Sequence, residues 1–168
     1  MNENFDSVEL ELISEFKSFL LDVKKFGYSG DKKWTYYLKQ RIANLGVKKK
    51  YKIAVGGFDD EFAGEWLYDL VWYEEDSNNC LIRIPLIMES EWDKKYSGIK
   101  FDFEKLLIGN AERRLMICQS KESEIEILLN RFKNSIDVFK ENKGDRFLFA
   151  ILNCDTDEEF YFRTYTKC

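Results

Sequence analysis

Residues 65–92 read EWLYDLVWYEEDSNNCLIRIPLIMESEW, and this stretch decides the fold. Two apolar segments, about Glu65–Glu74 and Leu81–Trp92, enclose the polar run Glu75-Asp76-Ser77-Asn78-Asn79, which is short enough to make them antiparallel neighbours in a hairpin. Pro85 has no N–H to give a ladder, so the second strand is expected to carry a bulge or an unpaired edge. Asp69, Glu89 and Glu91 fall inside these apolar segments, where a purely structural strand has little use for them. Carboxylates on adjacent buried strands repel and desolvate one another unless a cation or a proton sits between them, so a metal site is the leading reading.

Working outward, Val8, Leu12, Phe16, Phe19, Leu20 and Val23 share one face at helical spacing between Phe5 and Phe26, with Asp6 and Glu9 suited to the first turn and Gly27 to the stop. A second helix is expected over Lys33–Leu45, ending at Gly46, and a first strand over Tyr51–Val55. Beyond the hairpin, Asp102 can cap a helix through Phe103, Leu106, Leu107 and Ala111. The continuous apolar run Leu115–Cys118 suits a strand buried on both faces, which makes a strand, crossover helix, parallel strand unit. Ser123 and Glu126 can open a helix whose stripe Ile125, Leu128, Leu129, Phe132, Ile136 and Phe139 runs until Gly144. Strands at Phe147–Leu152 and Glu159–Thr166 close the chain, the last at a sheet edge.

At 168 residues with 45% hydrophobic and 16% aromatic content, the chain can bury one core and is read as one domain over residues 1–168. No apolar run spans a bilayer, and Met1-Asn2-Glu3-Asn4 lacks the basic and apolar regions of a signal peptide, so a soluble cytoplasmic protein without membrane partners is expected. Cys80, Cys118, Cys154 and Cys168 are too widely spaced for a zinc knuckle or a disulfide framework and read as reduced thiols. The absence of histidine excludes Ser-His-Asp and Cys-His catalysis and His-ligated zinc. Gly56-Gly57 runs into Phe58-Asp59-Asp60 with no Gly-Lys-Ser/Thr ending, so no phosphate cradle is present and a nucleotide-driven enzyme is not expected.

The resulting order is α/β: two helices, a three-strand meander, a crossover helix, a parallel strand, a helix and two closing strands in a central mixed sheet. It resembles the restriction-endonuclease-like PD-(D/E)XK nuclease superfamily over Tyr51–Gln119, with 1–46 as N-terminal helices and 120–168 as a helix and closing strands. The resemblance implies Asp69 as the first metal ligand and Glu89 as the second, with Glu91 at the place usually held by lysine; the cofactor would be magnesium or manganese, and the activity phosphodiester hydrolysis on nucleic acid, DNA more than RNA. Independently, period two puts Glu89 and Glu91 on one strand face, with Asp69 able to face them from the neighbouring strand. Magnesium suits carboxylate and water oxygens and can activate water against a phosphodiester.

Glu91 adds negative charge where a lysine would offset it, which a second metal, or Lys105 from the first turn of the crossover helix, could repair. Glu15 on the first helix could complete the site or belong to a solvated face with Glu9 and Glu11, while Glu65 lies about 13 Å of strand from Asp69 and reads as a bystander. Asp69 and Glu89 could instead be ordinary salt-bridge partners of Arg83, Lys94 or Lys95. Trp66, Trp72 and Trp92 read as packing residues, and Lys48-Lys49-Lys50 and Lys94-Lys95 as candidates for a phosphate-facing surface. A net charge of −5 argues against a nonspecific DNA clamp and leaves room for a local basic patch, a homodimer or a protein partner. The alternative function is a noncatalytic interaction or assembly module on the same fold.

Overall fold

The computed structural model describes residues 4–58, 62–140 and 144–167, and its element order is α1 (Ser7–Phe26), α2 (Asp31–Lys48), β1 (Lys52–Val55), β2 (Leu70–Glu75), β3 (Leu81–Glu91), α3 (Tyr96–Ile108), β4 (Arg113–Ser120), α4 (Glu122–Val138), β5 (Arg146–Asn153) and β6 (Phe160–Thr166). The strands form one six-stranded sheet in sequence order. β1, β2 and β3 pair antiparallel, β3–β4 and β4–β5 parallel, and β5–β6 antiparallel. α1 and α2 cover one face, and α3 and α4 cover the other.

The α1 start follows from a reciprocal cap, with Glu9 N–H donating to Asp6 and Asp6 N–H donating to Glu9, and its end from Gly27 at φ 66°. Leu12, Phe16 and Phe19 are fully buried, and at about 2 kcal/mol each their face outweighs the ~1 kcal/mol of a cap. Packing therefore holds α1 in place, and the cap sets where it begins.

The mid-chain boundaries differ from expectation for identifiable reasons. Gly46 does not stop α2 but lies inside it: a Cβ there would sit 2.5 Å from Ile53 Cδ1 and 2.6 Å from Trp72 Nε1, so the missing side chain lets α2 press on β1 and β2. β2 begins at Leu70, not at Glu65, which leaves Asp69 just before the strand. α3 begins at Tyr96, so Asp102 is interior and does not cap it, and Lys105 lies in the last turn and not the first. Glu122 N–H, at the start of α4, donates to Asp155 from the turn after β5, a partner distant in sequence that replaces the expected Ser123 and Glu126 opening. The expected bulge is present: β3 pairs Leu86 with Trp72 and Arg83 with Glu74, so its extra residue falls at Ile84-Pro85.

β4 and β5 are buried along nearly their whole length, as parallel central strands must be. Trp72 and Trp92 are buried, whereas Trp66 is exposed and packs on Tyr73 with ring centroids 4.5 Å apart. Cys80, Cys118 and Cys154 are free thiols, and Cys168 lies outside the described residues. Among the described residues no helix is long and apolar enough to cross a membrane.

Candidate functional site

The β2–β3 register sets the site. Leu70 pairs with Met88, so one step further Asp69 comes level with Glu89. Glu89 and Glu91 share the strand parity of Ile87, which lies in the core under α3 and α4. Asp69, outside the ladder, turns the other way: its Oδ2 accepts from Ser90 N–H at 2.8 Å and Ser90 Oγ at 2.6 Å, and its Oδ1 faces Lys39 Nζ of α2 at 2.9 Å. Ser90 thus ties β3 to the start of β2 through both its donors.

Glu89 is 2% exposed, and its Oε1 lies 2.6 Å from Lys105 Nζ. That contact has ion-pair distance without hydrogen-bond alignment, because no donor is directed at the buried Oε1. Burial first, and then the negative charge of Asp69, push the Glu89 carboxyl up to about 7 against the downward pull of Lys105. Lys105 also donates to Asp102 Oδ1 at 3.4 Å. The Asp102 carboxyl is itself held above its usual range, by burial and by neighbouring Glu91. Glu91 Oε1 accepts from Asp93 N–H at 2.7 Å.

The arrangement is therefore four carboxylates, Asp69, Glu89, Glu91 and Asp102, served by two lysines that come from different layers. The lysines are Lys39 and Lys105. Arg83 pairs instead with Glu74 and Glu112, and Lys94 and Lys95 have no ion pair among the described residues. Glu15 pairs with Arg41 across the α1–α2 seam, and Glu65 reaches the cluster only through Lys39 at 3.7 Å. Among the described residues no three carboxylate or thiol side chains are arranged around one ion-sized gap.

A hard divalent cation still suits the donor set. All the available oxygens are carboxylate, Glu89 Oε1 is a buried acceptor without an aligned donor, and magnesium is commonly held by one or two carboxylates with water and substrate phosphate filling the rest.

Three contributors were invisible along the chain. Lys39 is 8% exposed and sits one position off the Trp34, Leu38, Ile42 stripe, a weak hint at most. Asp102 reads as a cap until the helix is seen to begin at Tyr96. Arg114, 1% exposed, donates to the carbonyls of Leu106 (2.9 Å), Ala111 (3.0 Å) and Gly109 and pairs with Asp145 at 2.6 Å. It fastens the C-terminal end of α3, and with it Lys105, to β4. No protein-family model, curated protein or solved structure matches the chain.

Proposed function

We propose that the chain is a metal-dependent phosphodiester hydrolase of restriction-endonuclease-like architecture acting on DNA, with Asp69 and Glu89 as the residues that hold magnesium or manganese. The observation that carries the reading is the pairing of buried Glu89, one oxygen of which lacks an aligned donor, with the Lys105 ammonium 2.6 Å away. Lys105 supplies from α3 the positive charge that Glu91 cannot supply from β3, and Asp102 holds that ammonium in place. A bound magnesium would supply Lewis-acid stabilisation of phosphate charge and activation of water. Ser90 keeps Asp69 beside Glu89, and burial keeps Glu89 protonated near neutral pH until a cation offsets its charge. Glu91 borders the cluster through Asp102 and contributes negative potential.

The test is a manganese and magnesium titration coupled to cleavage of plasmid and linear DNA. Stoichiometric binding and cleavage that both vanish in Asp69→Ala support the reading. A cleavage rate unchanged in Lys105→Ala under saturating magnesium removes that residue's role. A second reading, a noncatalytic interaction module, is favoured by one contact: Lys39 already neutralises Asp69 at 2.9 Å. Indifference of the wild-type chain to metal supports that second reading and ends the first.

A further inference from the structure

The carboxyl ends of the parallel strands β3, β4 and β5 open on a cavity of about 880 Å3 beside the carboxylate cluster. In open α/β sheets this crevice is where ligands sit. Its floor is made by Trp34 and Trp92, whose indole N–H groups are already committed, to the Tyr28 carbonyl at 3.2 Å and to Thr35 Oγ1 at 2.8 Å. The floor therefore offers aromatic surface and no donor.

One wall is cationic. The N-termini of α2 at Gly30 and α3 at Lys95 both reach this cavity, and neither has a side-chain cap. Their first N–H groups have no helical partner and point positive partial charge outward. Lys94 and Lys95 are exposed on the same wall without an ion pair among the described residues, whereas Lys39, Lys49, Lys52, Lys100 and Lys105 each hold a carboxylate. Two lysines and two helix ends left uncompensated together, in a chain of net charge −5, mark a place for an anion.

Gln119 points independently to a ligand. It is 7% exposed, and its carboxamide nitrogen donates to the Trp92 carbonyl, which fixes the orientation of the amide. Its Oε1 accepts from no donor among the described residues, while the side chain lines both this cavity and a smaller one of about 300 Å3. A buried acceptor without a donor costs about 1–3 kcal/mol. It calls for a ligand carrying an N–H or O–H as well as an anionic group.

We infer that the cavity seats a nucleotide of a single-stranded nucleic acid, its base over the Trp34–Trp92 floor with a donor to Gln119 and its phosphate against Lys94, Lys95 and the two helix ends. A pocket of this volume holds one small organic unit and excludes a duplex, whose major groove alone is about 12 Å wide. Asp31, Asp93 and Asp157 on the remaining rim confine the phosphate to the lysine wall. The segment from Trp92 to Lys95 is a shared wall, since Asp93 N–H donates to Glu91, so a strand leaving the cavity passes directly to the carboxylates. The inference deepens the hydrolase reading and rests on it only for the fate of the strand.

The experiment is fluorescence anisotropy of a short labelled single-stranded oligodeoxynucleotide with the full chain in excess chelator, so that binding is read without cleavage. Lys94→Ala/Lys95→Ala, a surface change, is expected to weaken binding at least tenfold and to flatten the salt slope by about 1.4 for two phosphate contacts. Gln119→Met is expected to weaken it several-fold at unchanged slope, and Asp69→Ala to leave it intact. The inference is overturned if the wild-type chain does not bind the single strand, prefers a duplex competitor, or is unaffected by the double lysine change. Binding that obeys these expectations in a chain that cleaves nothing would retain the cavity and discard the hydrolase. Metal-dependent cleavage that ignores Lys94 and Lys95 would do the reverse.

Discussion

Glu9 and Glu89 are both buried carboxylates, and the protein treats them in opposite ways. Glu9, 1% exposed, has both oxygens filled: Oε1 accepts from Arg146 Nε at 2.7 Å and Thr164 Oγ1 at 2.9 Å, and Oε2 from Arg146 Nη2 at 2.6 Å and Asp6 N–H at 3.0 Å. Glu89, 2% exposed, has one lysine out of alignment and two other carboxylates, Asp69 and Asp102, raising its potential. Arginine's planar fork is the group that satisfies a buried carboxylate when only structure is required. At Glu9 that group is present. At Glu89 the oxygen is left wanting, the condition expected of a side chain that meets something other than its own protein.

The largest effect should come from breaking the satisfied side. Glu9→Ala strands Arg146 and Thr164 in a junction that joins α1 to β5 and β6, and removing one member of a buried, hydrogen-bonded ion pair costs about 3–5 kcal/mol. Urea unfolding should show a loss of that order, with metal binding per folded molecule unchanged. A loss below about 1 kcal/mol, the range of an exposed pair, would mean that the Glu9 network is not the structural counterpart it is taken for here.

The contrast between these two glutamates was only half legible in the sequence. The Asp6–Glu9 spacing announced a helix start, but Arg146 and Thr164 lie more than a hundred positions away, and no local pattern names such partners. The meander, the crossover helix and the buried central strands were legible because period two, a short polar turn and the apolar run at Leu115–Cys118 are local signals. Asp69 and Glu89 were legible as anomalies, since carboxylates in apolar strands stand out against their neighbours. Lys39 and Asp102 were not, because each joins the cluster through where its helix begins and how it docks, and Gly46 looked like a stop when its role is to let α2 approach β1 and β2. The cavity beside Gln119 depends on three strand ends meeting, which no single stretch of chain encodes.

An intermediate effect should appear as a pH dependence. The Glu89 carboxyl titrates near 7 in the folded chain and near its ordinary 4.5 when exposed, so between those values the folded state binds more protons than the unfolded one. Stability from this group is fully present below about 4.5 and falls as pH rises to about 7, beyond which it is flat. Glu89→Gln removes that slope, so the difference in unfolding free energy between variant and wild type should grow in the variant's favour across this window. Parallel stability profiles for the two chains would show that Glu89 is as well satisfied as Glu9 and would erase the contrast.

The smallest effect gives the sharpest discrimination. Lys39 is a competitor for Asp69 if that carboxylate holds a metal, and a permanent partner if it does not. Lys39→Met keeps the length and apolar contacts of the stem while removing the charge, and a partly buried pair of this kind is worth about 1 kcal/mol, which corresponds to roughly fivefold in an equilibrium constant. Calorimetric titration should therefore show manganese binding tighter by about that factor, accompanied by a loss of fold stability of about 1 kcal/mol. Tighter metal binding and weaker folding in one variant is the signature of a cation held in place of another. Weaker folding with no gain in metal affinity would assign Asp69 to Lys39 alone, and would move the Asp69 end of the cluster to the structural side of the comparison with Glu9.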